Sequence, residues 1–122
     1  MQLQILKSKL HRARITECEL FYEGSLGIDL DLMDEVGMLP YERILVVNTN
    51  NGERLETYAI PAKRGSRTFC LNGAAARRGA IGDQVTIMAF AWCTPEEAKT
   101  TPPQIAVLDA DNKIVKRPGT RG

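Results

Sequence analysis

Few side chains in this sequence have the types and placement needed for chemistry. Gly24-Ser25 joins a hydroxyl to a residue that tolerates strained backbone, yet glycine and serine dominate turns, and most such pairs are ordinary loop. Arg54 offers the planar, bidentate fork that a carboxylate wants; the plain alternative is an exposed strand cation. Tyr58 carries a phenol hydroxyl that could serve as an acid, or it could simply be a core or surface tyrosine. Asn72-Gly73-Ala74-Ala75 at a helix start would present unpaired backbone N–H groups to an anion, while Asn72 reads equally as an N-cap. The two roles are compatible. Lys9 is either an auxiliary cation or solvated surface. Thr57 suits any strand, and His11, the single histidine, fits a surface role at least as well as a chemical one.

These residues must be positioned by short elements. Gln2 to Leu6 alternates as a strand, and a second strand-like stretch around Ala13 to Phe21 leads into Tyr22-Glu23-Gly24-Ser25. Asp29 to Val36 has the spacing of a two-turn helix with acidic residues at its start, Gly37 as its stop and Pro40 beyond. Ile44 to Asn48 and Glu53 to Ile60 flank Asn51-Gly52, the strongest short hairpin signal in the chain. Strand alternation puts Arg54, Glu56 and Tyr58 on one face of the second of these strands, and Leu55, Thr57 and Ala59 on the other. Further strands are expected over Arg67 to Leu71, Gln84 to Cys93, Gln104 to Leu108 and Lys113 to Val115. Thr94-Pro95-Glu96-Glu97 reads as a capping box. Many short strands with brief helices predict a mainly β fold, a small barrel that removes its edges by closure.

Composition narrows the classes. With 122 residues the chain is expected to be one domain, with residues 116–122 as a flexible tail. A net charge of +1 argues against a nucleic-acid partner, and the basic residues near each end (Lys7, Lys9, Arg12, Arg14; Lys113, Lys116, Arg117, Arg121) read as solvated surface. Cys18, Cys70 and Cys93 are odd in number and follow no ligand spacing, which fits a reducing compartment without zinc. No apolar run approaches membrane-spanning length and the N-terminus is unlike a signal peptide, so the protein is expected in the cytoplasm with no membrane partner.

Lys9-Leu10-His11-Arg12, Tyr22-Glu23-Gly24-Ser25, Arg54 with Thr57-Tyr58-Ala59-Ile60, Arg64-Gly65-Ser66-Arg67 and Asn72-Gly73-Ala74-Ala75-Ala76, in register from the N-terminus to about Phe90, resemble the L-aspartate 1-decarboxylase proenzymes. The stretch after Cys93 adds almost nothing to the likeness. Val47 stands where familiar members carry tryptophan, which bears on substrate preference more than on reaction class.

The resemblance implies a closed six-stranded double-psi β-barrel, a homotetramer with active sites between subunits, and self-cleavage into chains 1–24 and 25–122. The Ser25 hydroxyl would attack the Gly24 carbonyl to give an ester. Elimination across Cα and Cβ of Ser25 would then leave dehydroalanine, and hydrolysis would release ammonia and leave a covalent pyruvoyl group. A maturation partner could assist. That ketone would form a Schiff base with the amine of L-aspartate and take up electrons as the α-carboxylate leaves, giving β-alanine for pantothenate and coenzyme A synthesis. No pyridoxal phosphate and no metal are then expected.

By the same likeness Thr57 assists cleavage and lies at the substrate site, plausibly bonding the Gly24 carbonyl, with Gly73, Ala74, Ala75 and Asn72 around the substrate. Arg54 is expected to pair with a substrate carboxylate, either the α-carboxylate, whose charge must be lost, or the β-carboxylate, which would hold the substrate throughout; the latter is favoured, with Lys9 as auxiliary, and Tyr58 is the acid that protonates Cα. Thr57 and Tyr58 cannot meet within one regular strand. A bulge near Thr57 or a site shared between subunits would resolve this, and the shared site is favoured. Two other readings stand beside this one: a pyruvoyl decarboxylase for another amino acid, and a non-enzymatic β-barrel interaction module.

Overall fold

In the computed structural model, residues 1–118 are described. Their mainly β backbone comprises β1 (Leu3–Arg14), β2 (Glu17–Glu19), β3 (Ser25–Asp29), α1 (Leu30–Glu35), β4 (Arg43–Asn48), β5 (Arg54–Ala62), β6 (Phe69–Asn72), a 3-10 segment (Gly73–Arg78), β7 (Gln84–Cys93), α2 (Pro95–Thr100), β8 (Gln104–Leu108) and β9 (Ile114–Lys116). The strands pair in the order β2-β6-β3-β5-β4-β7-β1-β8-β9. Among the described residues this is a nine-stranded ladder whose two ends are not joined, in place of the closed ring of six that was expected. The terminal strands β2 and β9 have three residues each, and each is paired on one side only, with β6 and β8. Three pairings are parallel, β1 with β8, β2 with β6 and β3 with β5, and the rest are antiparallel.

Two differences from the sequence reading bear on the site. The expected strands Gln2 to Leu6 and Ala13 to Phe21 are replaced by one long β1 that ends at Arg14, followed by the short β2. Register shifts between Leu6 and Ser8 and between Leu10 and Ala13, with Arg12 at φ 63°, let β1 absorb irregular residues without ending. The second difference is β3, which the sequence reading left without an element. All five of its residues are buried and it is paired on both sides, by β5 and β6, so no polar/apolar alternation betrays it.

The other signals hold. Asp29 caps α1 by accepting from Asp31 N at 2.9 Å, and Gly37 lies beyond the helix at φ 70°. The same carboxylate accepts from Gly65 N at 3.1 Å and Arg67 N at 2.8 Å, so one buried side chain fixes both the helix start and the Arg64-to-Arg67 loop. The β4–β5 hairpin is closed by Asn48 N donating to Glu53 O at 2.9 Å around Thr49 to Gly52, and α2 carries its full capping box. Core side chains include Leu10, Leu26, Ile28, Phe69, Leu71 and Ile87, drawn from both halves of the sheet.

The basic ends are partly engaged: Lys7 pairs with Glu42 at 2.6 Å, and Arg117 with Glu35 at 2.8 Å. Of the tail expected over 116–122, Lys116 is the last residue of β9, and residues 119–122 lie outside the described ones. Among the described residues no helix is long and apolar enough to cross a membrane.

Candidate active site

Where the loop after β2 enters β3, the chain runs unbroken from exposed Gly24 into fully buried Ser25. Pairing of Ser25 with Asn72 at the start of the β3–β6 ladder brings the two side chains together, and the Asn72 amide donates to Ser25 Oγ at 3.1 Å. The Ser25 hydroxyl donates to the Glu23 carbonyl at 3.1 Å. The serine oxygen is therefore held from both sides, out of bulk water, one residue from an exposed peptide unit. The N-cap reading of Asn72 does not hold: its side chain makes no cap bond, because it is turned back toward Ser25 and away from the segment that follows.

Gly73 fixes the loop from the opposite side. It sits at φ 64°, and a β-carbon there would lie 2.5 Å from Tyr22 O and 2.7 Å from Gly24 N. Only glycine permits both that conformation and that approach. Gly73→Ala is therefore expected to displace the 22–24 backbone, at a cost of at least ~1–2 kcal/mol from the left-handed conformation alone. The checks are the melting midpoint and the fraction of chain cut after Gly24 at a fixed time; an alanine variant that matches the parent in both would show that this contact holds nothing in place.

Gly24 opens onto a cavity of about 210 Å³ that is also lined by Leu55, Glu56, Thr57, Ala74, Ala75 and Arg78. Small side chains on the 3-10 segment leave this space open. Thr57, on half-buried β5, lines it together with its neighbours Leu55 and Glu56. Ser25, Gly24, Thr57, Asn72, Gly73, Ala74 and Ala75 thus converge.

Arg54, Tyr58 and Lys9 are not brought to that cavity. Arg54 is exposed at the start of β5, where its carbonyl accepts from Arg78 Nη1 at 3.4 Å. The Tyr58 ring lies 6.2 Å from that of Tyr41. Lys9 lies on β1, opposite Met88 and Ile105, with β7 and β4 between it and β5. The β4–β5 register runs from Arg43 opposite Tyr58 to Val47 opposite Arg54 without interruption, so there is no bulge at Thr57. Val47 lies between Arg54 and Thr86 on the sheet, away from the cavity lining. His11 Nδ1 is 3.1 Å from Thr86 Oγ1, and burial, then the Lys9 and Arg12 cations, hold its pKa below the ordinary value.

Sequence reasoning missed three site residues. Glu56 and Arg78 line the cavity, the latter 3.6 Å from Glu53, and nothing in their spacing signals this. Cys70, whose Sγ lies 3.1 Å from Asn72 Oδ1, was visible only as one of three unpaired cysteines.

A family model for aspartate decarboxylase matches residues 1–115. Among curated proteins, an aspartate 1-decarboxylase of Salinibacter ruber is 53% identical over 95% of this chain and 80% of its own length. One of Caldicellulosiruptor saccharolyticus is 55% identical over 95% and 91%, and one of Maricaulis maris 48% identical over 97% and 98%.

Proposed function

Because the chain belongs to the aspartate decarboxylase family, we propose that it is a proenzyme that cuts itself between Gly24 and Ser25 and then converts L-aspartate to β-alanine and carbon dioxide. That product would feed pantothenate and coenzyme A synthesis in the cytoplasm. The observation that carries the reading is the buried Ser25 hydroxyl, held between the Asn72 amide and the Glu23 carbonyl, beside a Gly24 that opens onto a cavity shared with Thr57, Ala74 and Ala75.

Each residue then has a task. Asn72 holds Ser25 Oγ, so the hydroxyl is ordered before it attacks the Gly24 carbonyl; the attack exchanges an amide for an ester. Thr57, across the cavity from Gly24, is suited to donate to the oxyanion formed there. Elimination and hydrolysis leave a pyruvoyl group at residue 25 and free one ammonia. The residues fit such a group, since the atom that generates it is already buried with a fixed polar neighbour. Once formed, the group supplies a ketone for the substrate amine and a sink for the electrons of the departing carboxylate. Around it Ala74 and Ala75 leave room for the substrate, Arg54 pairs with its β-carboxylate, Lys9 assists, and Tyr58 returns a proton to Cα.

The last three residues lie off the cavity in one chain, which supports a homotetramer whose sites are completed across subunits. Phe90 and Trp92, two residues apart on one face of β7 and both exposed, give such an interface apolar surface. The parallel β1–β8, β2–β6 and β3–β5 pairs within an otherwise antiparallel ladder support assigning the strands to a double-psi barrel.

Incubating the purified chain with L-aspartate and quantifying β-alanine tests the activity; a chain that yields none, or acts faster on another amino acid in a substrate panel, overturns it. Arg54→Ala is expected to lower kcat/KM for aspartate at least tenfold, as befits a lost charge-assisted pair. The same substitution should leave an analogue without the β-carboxylate nearly unaffected. Equal losses on both would remove Arg54 from carboxylate binding.

A further inference from the structure

Behind Ser25 lies a second buried bond that the self-cleavage reading does not use. Cys70 and Asn72 sit two residues apart on β6, on the same side of the strand, and the Cys70 thiol donates to Asn72 Oδ1 at 3.1 Å while Asn72 Nδ2 donates to Ser25 Oγ at 3.1 Å. Both residues are more than nine-tenths buried. The packing is close on the facing strand as well: a β-carbon on Gly27 would be 3.5 Å from Cys70 Cβ and 3.8 Å from Asn72 Nδ2.

An asparagine amide can turn over end for end, presenting either its NH₂ or its oxygen to a given neighbour. With the NH₂ toward Ser25, the serine oxygen is an acceptor and its proton is free to go to Glu23 O. With the oxygen toward Ser25, the hydroxyl would donate to Asn72 and lose its tie to Glu23, and the amide NH₂ would face the sulfur. A donor at residue 70 favours the first orientation. The thiol is such a donor across the whole neutral range, because burial, then the Glu17 carboxylate, Cys18 and the Glu19 carboxylate, push its pKa up to about 11.

We propose that Cys70 is a positioning residue for self-cleavage, setting the orientation of the Asn72 amide so that this amide donates to Ser25 Oγ. The inference rests on the self-cleavage reading given above. It assigns the cysteine a hydrogen-bonding role, not a covalent one.

The test compares cleavage rates of freshly prepared precursor by intact mass under denaturing conditions for the parent, Cys70→Val and Cys70→Ser, with circular dichroism to establish that each is folded. Valine keeps the volume and removes the donor; serine keeps a donor in a smaller volume. Cys70→Val should slow cleavage roughly five- to tenfold, the weight of one ordinary hydrogen bond, and Cys70→Ser should stay near the parent rate. In an Asn72→Ala background, Cys70→Val should slow cleavage no further, because the group it orients is gone. Should Cys70→Val fail to fold, Cys70→Ala takes its place with the same expectation. Equal rates for parent and Cys70→Val, or a Cys70→Ser as slow as Cys70→Val, would overturn the role while self-cleavage stands. A parent chain that never cuts would remove the self-cleavage reading, and this role with it.

Discussion

Replacing Ser25 by alanine is expected to leave a single unbroken chain of 122 residues that makes no measurable β-alanine, a loss of about a millionfold or more if the chain supplies a typical enzymatic acceleration. The expectation is this severe because the side chain has two tasks in sequence. In the proposed route its oxygen attacks the Gly24 carbonyl, and its own carbons then become the reactive ketone, so no neighbour could substitute. Ser25 is fully buried with one donor and one acceptor partner, so alanine would also leave the Asn72 amide without its contact at a cost of ~1–3 kcal/mol. A fold that survives this is readable by circular dichroism. The decisive measurement is intact mass: two fragments divided after Gly24 in the parent, the larger lighter by one ammonia than a serine-terminated chain, and one undivided mass in the variant. A variant that still divides there, or an undivided parent with full activity, would refute the origin proposed for the cofactor.

Tyr58→Phe should separate the two halves of the chemistry. The substitution removes one hydroxyl, keeps the ring against Tyr41, and touches neither Ser25 nor the residues that hold it. Cleavage should therefore proceed at the parent rate, while β-alanine formation falls by roughly 10²–10⁴-fold, the usual contribution of a positioned proton donor. Near-parent turnover would take Tyr58 out of proton transfer. Failure to cleave would give it a part in maturation instead.

Legibility differed between residues for physical reasons. The sequence placed Thr57 and Leu55 on one face of β5, but Glu56 between them lines the same cavity, so strand alternation alone does not pick out the cavity residues. The hairpin around Asn51-Gly52 and the Thr94 capping box were readable because local backbone geometry demands particular residue types there. By contrast β3 was invisible, since burial on both faces erases the alternation. The Asn72 side chain was misassigned to a cap because its true partner, Ser25, is 47 residues away in the chain. Arg54, Tyr58 and Lys9 came from likeness to a family rather than from periodicity. They are also the residues that one subunit does not gather, as would follow if they serve a neighbour's site.

The place of β1 in the sheet has one more consequence. It lies between β7 and β8 and belongs to the segment before Gly24, while β7 and β8 belong to the segment after it. If the chain is cut as proposed, the short piece would be an interior structural member of the mature protein and not a discarded leader. Folding of the precursor is a first-order event; reassembly after denaturation would need two strangers to meet, at a rate that falls with dilution. The reaction that forms the cofactor would thus also spend the chain's ability to refold alone, leaving an enzyme whose lifetime is set by how slowly it first comes apart.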